Sequence, residues 1–574
     1  MIPVWIATIT ALDANDAPIT LHFSDCAYID DDWNYYSPVM AQPAMVKISP
    51  NDGGVFHCFS SPSTGEIELL NISGHLNYLS DYAVDNGIFS LSLIDSDGFQ
   101  TDFMTGKISA THSTDKSIFL ALQSMSELLG RPHPNTKYLG TNALPAGVEG
   151  NATDIKGNVK PRIFGSVKNA TPILVNTAAT SLIYQFSDRA SCIVTAVYDK
   201  GGAFTLGVTY PPASLATFIS TAVTVTGTFN RCMGYVKLYV SPVGVVTGDA
   251  FDGMTLATST TNVGAIATGS KTFVTQANKT FAAGNLLTLY SAANPANFMT
   301  GLVTSYTTTS LVMNITVIGG SGTPTDWIIT SNLAGDVLNE IVNETPVILG
   351  ISLNSASKPA LNAAGEIGVY VTGATNTAAL LNQVVASTGA IWYFNGLVIY
   401  AKLIALATTY TLELTDSEII SLERTGTGLG TNGVPITACS IDFDKIETVQ
   451  KKAELIATVT NTRVAYLSLE TRSAFINDST VLTRHPMAEA ITVNSALRTE
   501  TDAIAMGTRL LNLCKTRVDV VNITCVVAEI PALSILDGVL VTTNKLSYSD
   551  GRTLTIIGFE IDAKRRKITL QLIG

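Results

Sequence analysis

The apolar residues of this chain fall in short alternating runs, and clusters of turn-forming residues separate them. Within the first 110 residues the runs are Trp5–Leu12, Val46–Ile48, Glu66–Asn71 and Ile88–Ile94, and the clusters include 51-NDGG-54, 85-DNG-87 and 95-DSDG-98. A period of two puts alternate side chains on one face of a strand. Asn-Gly and Asp-Gly supply the positive φ that tight hairpins need. The same signature continues through 159-VKPRIFGSVKNATPILVN-176, 192-CIVTAVYDKGG-202 and 233-MGYVKLYVSPVG-244, with Gly201-Gly202 as a tight turn between strands. Such a sequence predicts a mainly β fold built from hairpins, with a minor α+β component.

Helical spacing appears in four places. Residues 115–130 carry Ile118, Leu122, Met125 and Leu129 on one helical face, with Ser113 or Asp115 as cap and Gly130 as stop. The segment 131-RPHPNTKYLG-140 follows, and its two prolines predict an extended linker. Helices are also expected at 335–346, through Val337, Leu338, Ile341 and Val342, at 375–388, and at 499–517 with Thr499 near the cap. In 391-IWYFNGLVIYAKL-403, Asn395-Gly396 forms a two-residue hairpin turn, and 519–527, 537–543 and 553–574 are strands, the last pair turning at 562-DAKRR-566.

Residues 253–332 differ from their surroundings. Thr, Ser, Ala and Gly dominate, and Lys271, Lys279 and Asp326 are the only charges. The runs 282-AAGNLLTLYS-291 and 310-SLVMNITVIG-319, with 319-GGSGTPTDWII-329, predict a small antiparallel module. The expected organisation is an acidic β domain at 1–112, a helix and Pro-rich linker at 113–150, a second β domain at 151–252, the inserted module at 253–332, an α+β domain at 333–490, and a helix with C-terminal barrel strands at 491–574.

Composition narrows the function classes. Of 574 residues, 46% are hydrophobic and only 14% charged, against about 25% charged in ordinary globular proteins. That balance excludes intrinsic disorder and suits a subunit with permanent interfaces. Residues 1–110 hold fourteen acids against Lys47 and Lys107, so they account for the whole net charge of −12. A basic surface that would grip nucleic acid is missing there. The acids form either a solvated face or the wall of a lumen that lets DNA slide. The seven cysteines contain no CxxC pair and are expected as buried free thiols made in a reducing compartment. The amino terminus has no basic n-region. The charge-free stretch 201–230 contains Pro211-Pro212 and polar residues, so no membrane span is expected.

Few residues suggest chemistry. The run 426-GTGLGTNG-433 lacks the Lys of a phosphate loop. His22 with Cys26, or His57 with Cys58, falls short of four-ligand zinc spacing, and His75, His112, His133 and His485 stand apart. Asp30, Asp31 and Asp32 before Trp33 lack the distal Glu of a calcium loop. Glu66 and Glu68 share one strand face, and 319-GGSGT-323 is not a nucleophile elbow. No catalytic, cofactor-binding or metal-binding residue is assigned, and the chain is not expected to be an enzyme.

Two stretches resemble a known family. The first is 65-GEIELLNISGHLNYLSDYAVDNG-87 followed by 149-EGNATDIKGNVKPRIFGSVKNATPILVN-176, carried by Gly65, Glu66, Glu68, Leu69, Asn71 and Gly74, then Glu149, Gly150, Lys156, Gly157, Lys160, Pro161, Gly165, Val167 and Asn169. The second runs over about 335–574 and ends in 536-LDGVLVTTN-544 and a closing hairpin, with Asp537, Gly538 and Val539 in a changed order. Both are similar to tail-tip and baseplate hub proteins of long-tailed phages and prophages, siphophage-type. The resemblance implies hub-type β-barrels in a ring, commonly a homotrimer, at the distal end of the virion tail after assembly in the host cytoplasm. It implies as partners the tail tube and distal tail proteins, the tape-measure protein, and a central fibre or receptor-binding proteins, with DNA passing through the lumen. The module 253–332 departs from that pattern and is expected as a spacer or as a decoration that touches host-surface glycans. A tail-associated polysaccharide or peptidoglycan hydrolase is the remaining alternative, and it needs two carboxylates across a cleft.

Overall fold

The computed structural model describes residues 3–50, 59–142, 147–178, 181–239, 241–295, 297–344, 350–395, 397–430, 433–527, 530–562 and 565–574. The chain starts as a seven-stranded antiparallel sheet, in the spatial order Pro18–Ser24, Val4–Leu12, Ile88–Ile94, Gln100–Ser113, Ser117–Ser124, Glu66–Leu70 and Met40–Gln42. Alternation sorts its side chains by face. Trp5, Ala7 and Ile9 turn into the main core, while Val4 and Ile6 meet Tyr36 and Ile94 on the other side.

A second, eleven-stranded sheet is assembled from distant parts of the chain. Its path runs Ser352–Leu353, Val398–Leu403, Ala390–Asn395, Phe59–Thr64, Val46–Pro50, Tyr548–Asp562, Lys567–Ile573, Val520–Val526 and Ile419–Gly426, with Leu412–Thr415 and Gly538–Thr543 attached beside Tyr548–Asp562. Two strands from the first hundred residues therefore lie inside the carboxy-terminal sheet. Lys47 is in register with Glu560, and their side chains pair at 3.4 Å. Phe59 is in parallel register with Trp392. One apolar core joins the two sheets, with Ile9, Phe89 and Leu120 from the first and Ile523, Val541, Leu554 and Leu570 from the second. The segments 1–112 and 491–574, expected as separate units, thus share a sheet and a core.

Residues 162–252 supply nine strands of two five-stranded sheets around Val167, Phe186, Val194, Phe229 and Val236. The strand Gly368–Val371 crosses from the α+β segment to pair with Arg162–Ala170. A six-stranded antiparallel sheet occupies 254–331, with its own core of Phe273, Leu289, Met313, Trp327 and Ile329. In the α+β part, helices Ala334–Glu344, Thr377–Ser387 and Glu500–Cys514 bury one face each around Leu338, Leu381, Trp392 and Leu510. Asn376 and Thr499 cap the last two, each accepting from an amide three residues on. The last helix covers the three-stranded sheet Arg472–Asn477, Ala438–Phe443 and Ala490–Asn494.

Several expectations are corrected. The helix predicted at 115–130, capped by Ser113 or Asp115, is instead the strand Ser117–Ser124 followed by a 3-10 turn, Met125–Gly130. Ile118, Leu120 and Leu122 also fit a period of two, and neighbouring strands on both sides take up the backbone hydrogen bonds; that pairing overrides helix spacing. The tight turn sits at Lys200-Gly201, both at positive φ, one residue before the expected pair. The stretch 201–230 includes a short helix, Leu215–Ser220. The segment 131–140 is not a free linker: His133 N–H donates to Thr375 O, and Tyr138, which is buried, donates its hydroxyl to Gln185. Residues 51–54, Gly396 and 563–564 lie outside the described residues, so those three turn expectations do too. Among the described residues no helix is long and apolar enough to cross a membrane.

The module's separate core makes a local prediction. The Trp327 ring is fully buried, lies edge-on to Phe273 at 5.9 Å, and donates Nε1–H to Thr261 O at 3.2 Å. Trp327→Ala should cost about 3–5 kcal/mol. Native-state hydrogen exchange should show this loss in the amides of 254–331 while 520–573 keep their protection; equal loss in both would contradict it.

Candidate functional site

The residues singled out in the sequence are dispersed by the fold. Asp30 sits in the hairpin between Tyr28–Ile29 and Tyr35–Tyr36, and its oxygens accept from the amides of Asp32 (3.0 Å) and Asn34 (2.8 Å) and from Asn34 Nδ2 (2.9 Å). The Asn34 side-chain bond, opposed by desolvation and helped by the amides of Asn34 and Asp32, holds its carboxyl below the usual range. The carboxylate is thus engaged by its own loop, and Trp33 beside it is 86% exposed. His22 lies edge-on to Tyr36 at 4.7 Å, and burial lowers its pKa; Cys26 is exposed. His57 and Cys58 lie outside the described residues. His75 is exposed and His485 half-buried. His112 stacks on Phe119, 3.9 Å from Glu66, while His133 is buried 3.3 Å from Glu344. Among the described residues no group of three or more His, Cys, Asp or Glu is placed to hold a metal ion.

Glu66 and Glu68 stay on one strand: Glu66 is exposed and Glu68 accepts from Ser117 Oγ at 2.8 Å. In the glycine run, Thr427 N–H goes to Gly433 O and Gly430 N–H to Val434 O. These amides are used internally, and the next described element is the strand Ala438–Phe443, not a helix. Residues 431–432 are outside the described residues. The turn at 319–323 is tied by Ser321 N–H to Asn297 Oδ1 at 3.1 Å.

Residues of the two matching stretches hold joints. Gly165, at φ +76, lets Ile367 O approach to 2.1 Å from where a Cβ would stand. Asn169, buried at positive φ, takes Asp249 Oδ1 on its amide and donates its side chain to Thr448 O at 2.6 Å. Glu149 accepts from Lys160 Nζ at 2.5 Å and from Leu139 N–H at 3.0 Å. Asn71 Oδ1 caps Leu76 N–H at 2.9 Å. Gly538 places its Cα where a Cβ would strike Thr409 O, and Asp537 accepts from Ser534 N–H.

Two features escaped the sequence reading. A cleft of about 510 Å³ separates the 254–331 module, through Thr280, Asn285 and Leu302, from Lys358, Asn362, Glu366 and Asp502. Burial and the neighbouring Asp502, opposed by Arg498 and Lys168, push Glu366 up to about 7. Asp502 accepts from Thr499 Oγ1 at 2.7 Å. Both acids stand on the same wall, and among the described lining residues the module's wall carries no carboxylate. This is not the facing pair that glycoside hydrolysis requires. The second feature is Asp519, fully buried at the start of the strand Val520–Val526. It accepts two bonds from Arg517 at 2.7 Å, one from Tyr548 Oη at 2.7 Å and one from Arg552 at 3.2 Å, with Arg424 at 3.7 Å. Tyr548 and Arg552 stand on one strand, Arg424 on another and Arg517 in the loop before Val520, so one carboxylate ties two strands and that loop to its own strand. Local spacing shows only Arg517-Val518-Asp519.

No known protein family matches the chain, and no curated protein does. Among solved structures, the chain is similar to the 43 kDa tail protein of prophage MuSo2 from Shewanella oneidensis, at 14% identity over 56% of this chain and 95% of that one, with a TM-score of 0.26. A tail protein from Neisseria meningitidis aligns at 10% identity over 57% and 93%, TM-score 0.28. The prophage tail protein gp18 from Listeria monocytogenes aligns at 9% over 55% and 87%, TM-score 0.25. Two of these neighbours are prophage tail proteins and the third is a tail protein.

Burial acts to raise the Asp519 carboxyl, but hydrogen bonds from Arg517 and Tyr548 and the Arg552 charge hold it below the usual range. A depressed native pKa stabilises the fold above the ordinary carboxylate pKa and loses that contribution as pH falls through the native value. Asp519→Ala should therefore cost about 3 kcal/mol at neutral pH, the low end for a broken buried pair because the arginines reach solvent. Urea denaturation should show that gap narrowing in acid; a gap independent of pH would contradict the role.

Proposed function

We propose that this chain is a structural subunit of a phage tail, a tail-tip or baseplate hub protein. In this reading copies of the chain form a ring, a homotrimer, that joins the tail tube and distal tail proteins to a central fibre or receptor-binding proteins. The ring meets the tape-measure protein and closes the tube until DNA ejection. One observation supports it above others. Gly165 and Asn169, which carry the sequence resemblance, are residues at which distant segments meet. Residues whose identity the architecture demands are the ones expected to persist between diverged members of an architectural family.

The chemistry is geometric. A ring subunit must transmit load between its ends without unravelling, and strands 46–50 and 59–64 threaded into the carboxy-terminal sheet provide that. The low charge fits broad subunit contacts. The excess acid of residues 1–110 would line the lumen, where it would repel DNA phosphates and prevent sticking. The module 254–331, with its own core and sheet, is the part free to vary, and it would supply any contact with host-surface glycans.

Mass spectrometry of purified particles from a lysogen or lysate encoding the chain tests the proposal. The chain should be present in virions, at a few copies per particle, and should cross-link to tail-tube subunits. Its absence from intact tails would refute the reading.

A further inference from the structure

The 254–331 module stands on two feet, and a buried ion cluster lies where they meet. The outgoing foot ends at Asp252, the last residue of Val246–Asp252; the returning foot passes from Trp327–Ser331 into the helix Ala334–Glu344. Arg189, from the loop before Ile193–Asp199, reaches both. Its Nε is 3.5 Å from Asp252 Oδ2, its NH1 is 3.0 Å from Glu344 Oε1, and its NH2 donates to Glu340 Oε1. Arg162 adds a second layer: it donates to Asp188 Oδ2 at 2.6 Å and also to Glu344 Oε2. His133, from the segment before the second β unit, sits 3.3 Å from the same Glu344 oxygen. Ser191 and Ser187 donate to Asp252 at 2.7 and 3.2 Å. From the module itself, Tyr290 faces Asp252, and the buried thiol of Cys192 lies beside it.

The charge count is unbalanced. Four carboxylates, Asp188, Asp252, Glu340 and Glu344, face two guanidinium groups. The side chains of Asp252, Asp188 and Glu340 are 0%, 5% and 6% exposed, and Glu340 Oε2 has no hydrogen-bond partner among the described residues. A surplus of buried negative charge is costly, and the low-energy remedy is for some acids to keep their protons.

We propose that this cluster is a proton-loaded clasp: it holds the two feet of the module together while Asp252 and Glu340 share protons, and it loosens the module from the body as those acids ionise. The titration agrees with the geometry. Burial, opposed by Arg189, pushes Asp252 up to about 6 and Glu340 up to about 7. Burial acts on Glu344 in the same sense, but His133, Arg162 and Arg189 hold it below its usual range, so it stays charged as the anchor for both arginines. For acids with raised native pKa values, the stabilisation is complete below the ordinary carboxylate pKa and is lost as pH rises through the native values. The clasp therefore weakens progressively from about pH 4 to about pH 7 and changes little above that. The apolar contact of Tyr290, Phe298 and Ile328 with Ile193 and Phe251 would keep the loosened module attached.

Hydrogen exchange of the full chain at about pH 5.5 and about pH 8, corrected for the intrinsic rate, tests this. The opening equilibrium at 246–256 and 327–344 should rise on the order of tenfold, as linkage for one such acid requires, while 520–573 stay unchanged. Glu340→Gln should remove most of the rise, and separately Asp252→Asn should remove a smaller part of it. Protection at the feet that is equal at both pH values overturns the proposal, as does a rise that persists undiminished in both variants. If neither variant folds, the wild-type comparison alone decides.

Discussion

The molecule depends on one apolar core shared by residues that lie about five hundred positions apart in sequence. Trp5, Ile9 and Phe89 from the first sheet and Ile523, Leu554 and Leu570 from the last are buried against one another. Neither sheet could present that face to water alone: burying an aliphatic or aromatic side chain of this kind is worth about 1.5–3 kcal/mol. The strands Val46–Pro50 and Phe59–Thr64 make the dependence structural as well as energetic, because they complete the backbone ladder between Tyr548–Asp562 and Ala390–Asn395.

Apart from the strands between residues 352 and 426 that join the second sheet, the segments between these ends are inserted into that framework. The second β unit is tied to the α+β part by the pairing of Arg162–Ala170 with Gly368–Val371, and by Asn169 reaching Thr448. The six-stranded module is a further insertion with a complete core. Such nesting explains how a chain with so little charge remains a defined structure. Buried charges such as Asp519, Asp252 and Lys237 are held by several partners each. The same nesting suits a proposed tail component, in which load enters at one place and leaves at another.

Much of the fold was legible locally. The helices Ala334–Glu344, Thr377–Ser387 and Glu500–Cys514 announce themselves because period and length agree, with Asn376 and Thr499 as caps of the last two. The strand Ser117–Ser124 did not, because Ile118, Leu122, Met125 and Leu129 satisfy helical spacing while Leu120 adds the period of two. Only the strands on either side decide between them. The threading of 46–64 into the carboxy-terminal sheet leaves no local trace, since register between Lys47 and Glu560 is a tertiary fact. The ion cluster was hidden for the same reason: Arg189, Asp252 and Glu340 are unremarkable in isolation and acquire meaning only when the two feet of the module meet. Asp519 stood in plain view, but its three arginines come from three separate segments.

Native-state hydrogen exchange in graded denaturant measures the shared core most directly. The amides of Val4–Leu12 and Ile88–Ile94 and those of Val520–Val526 and Lys567–Ile573 should merge into one opening, with the same free energy and the same denaturant dependence. Two distinct openings, one for each end of the chain, would contradict the account.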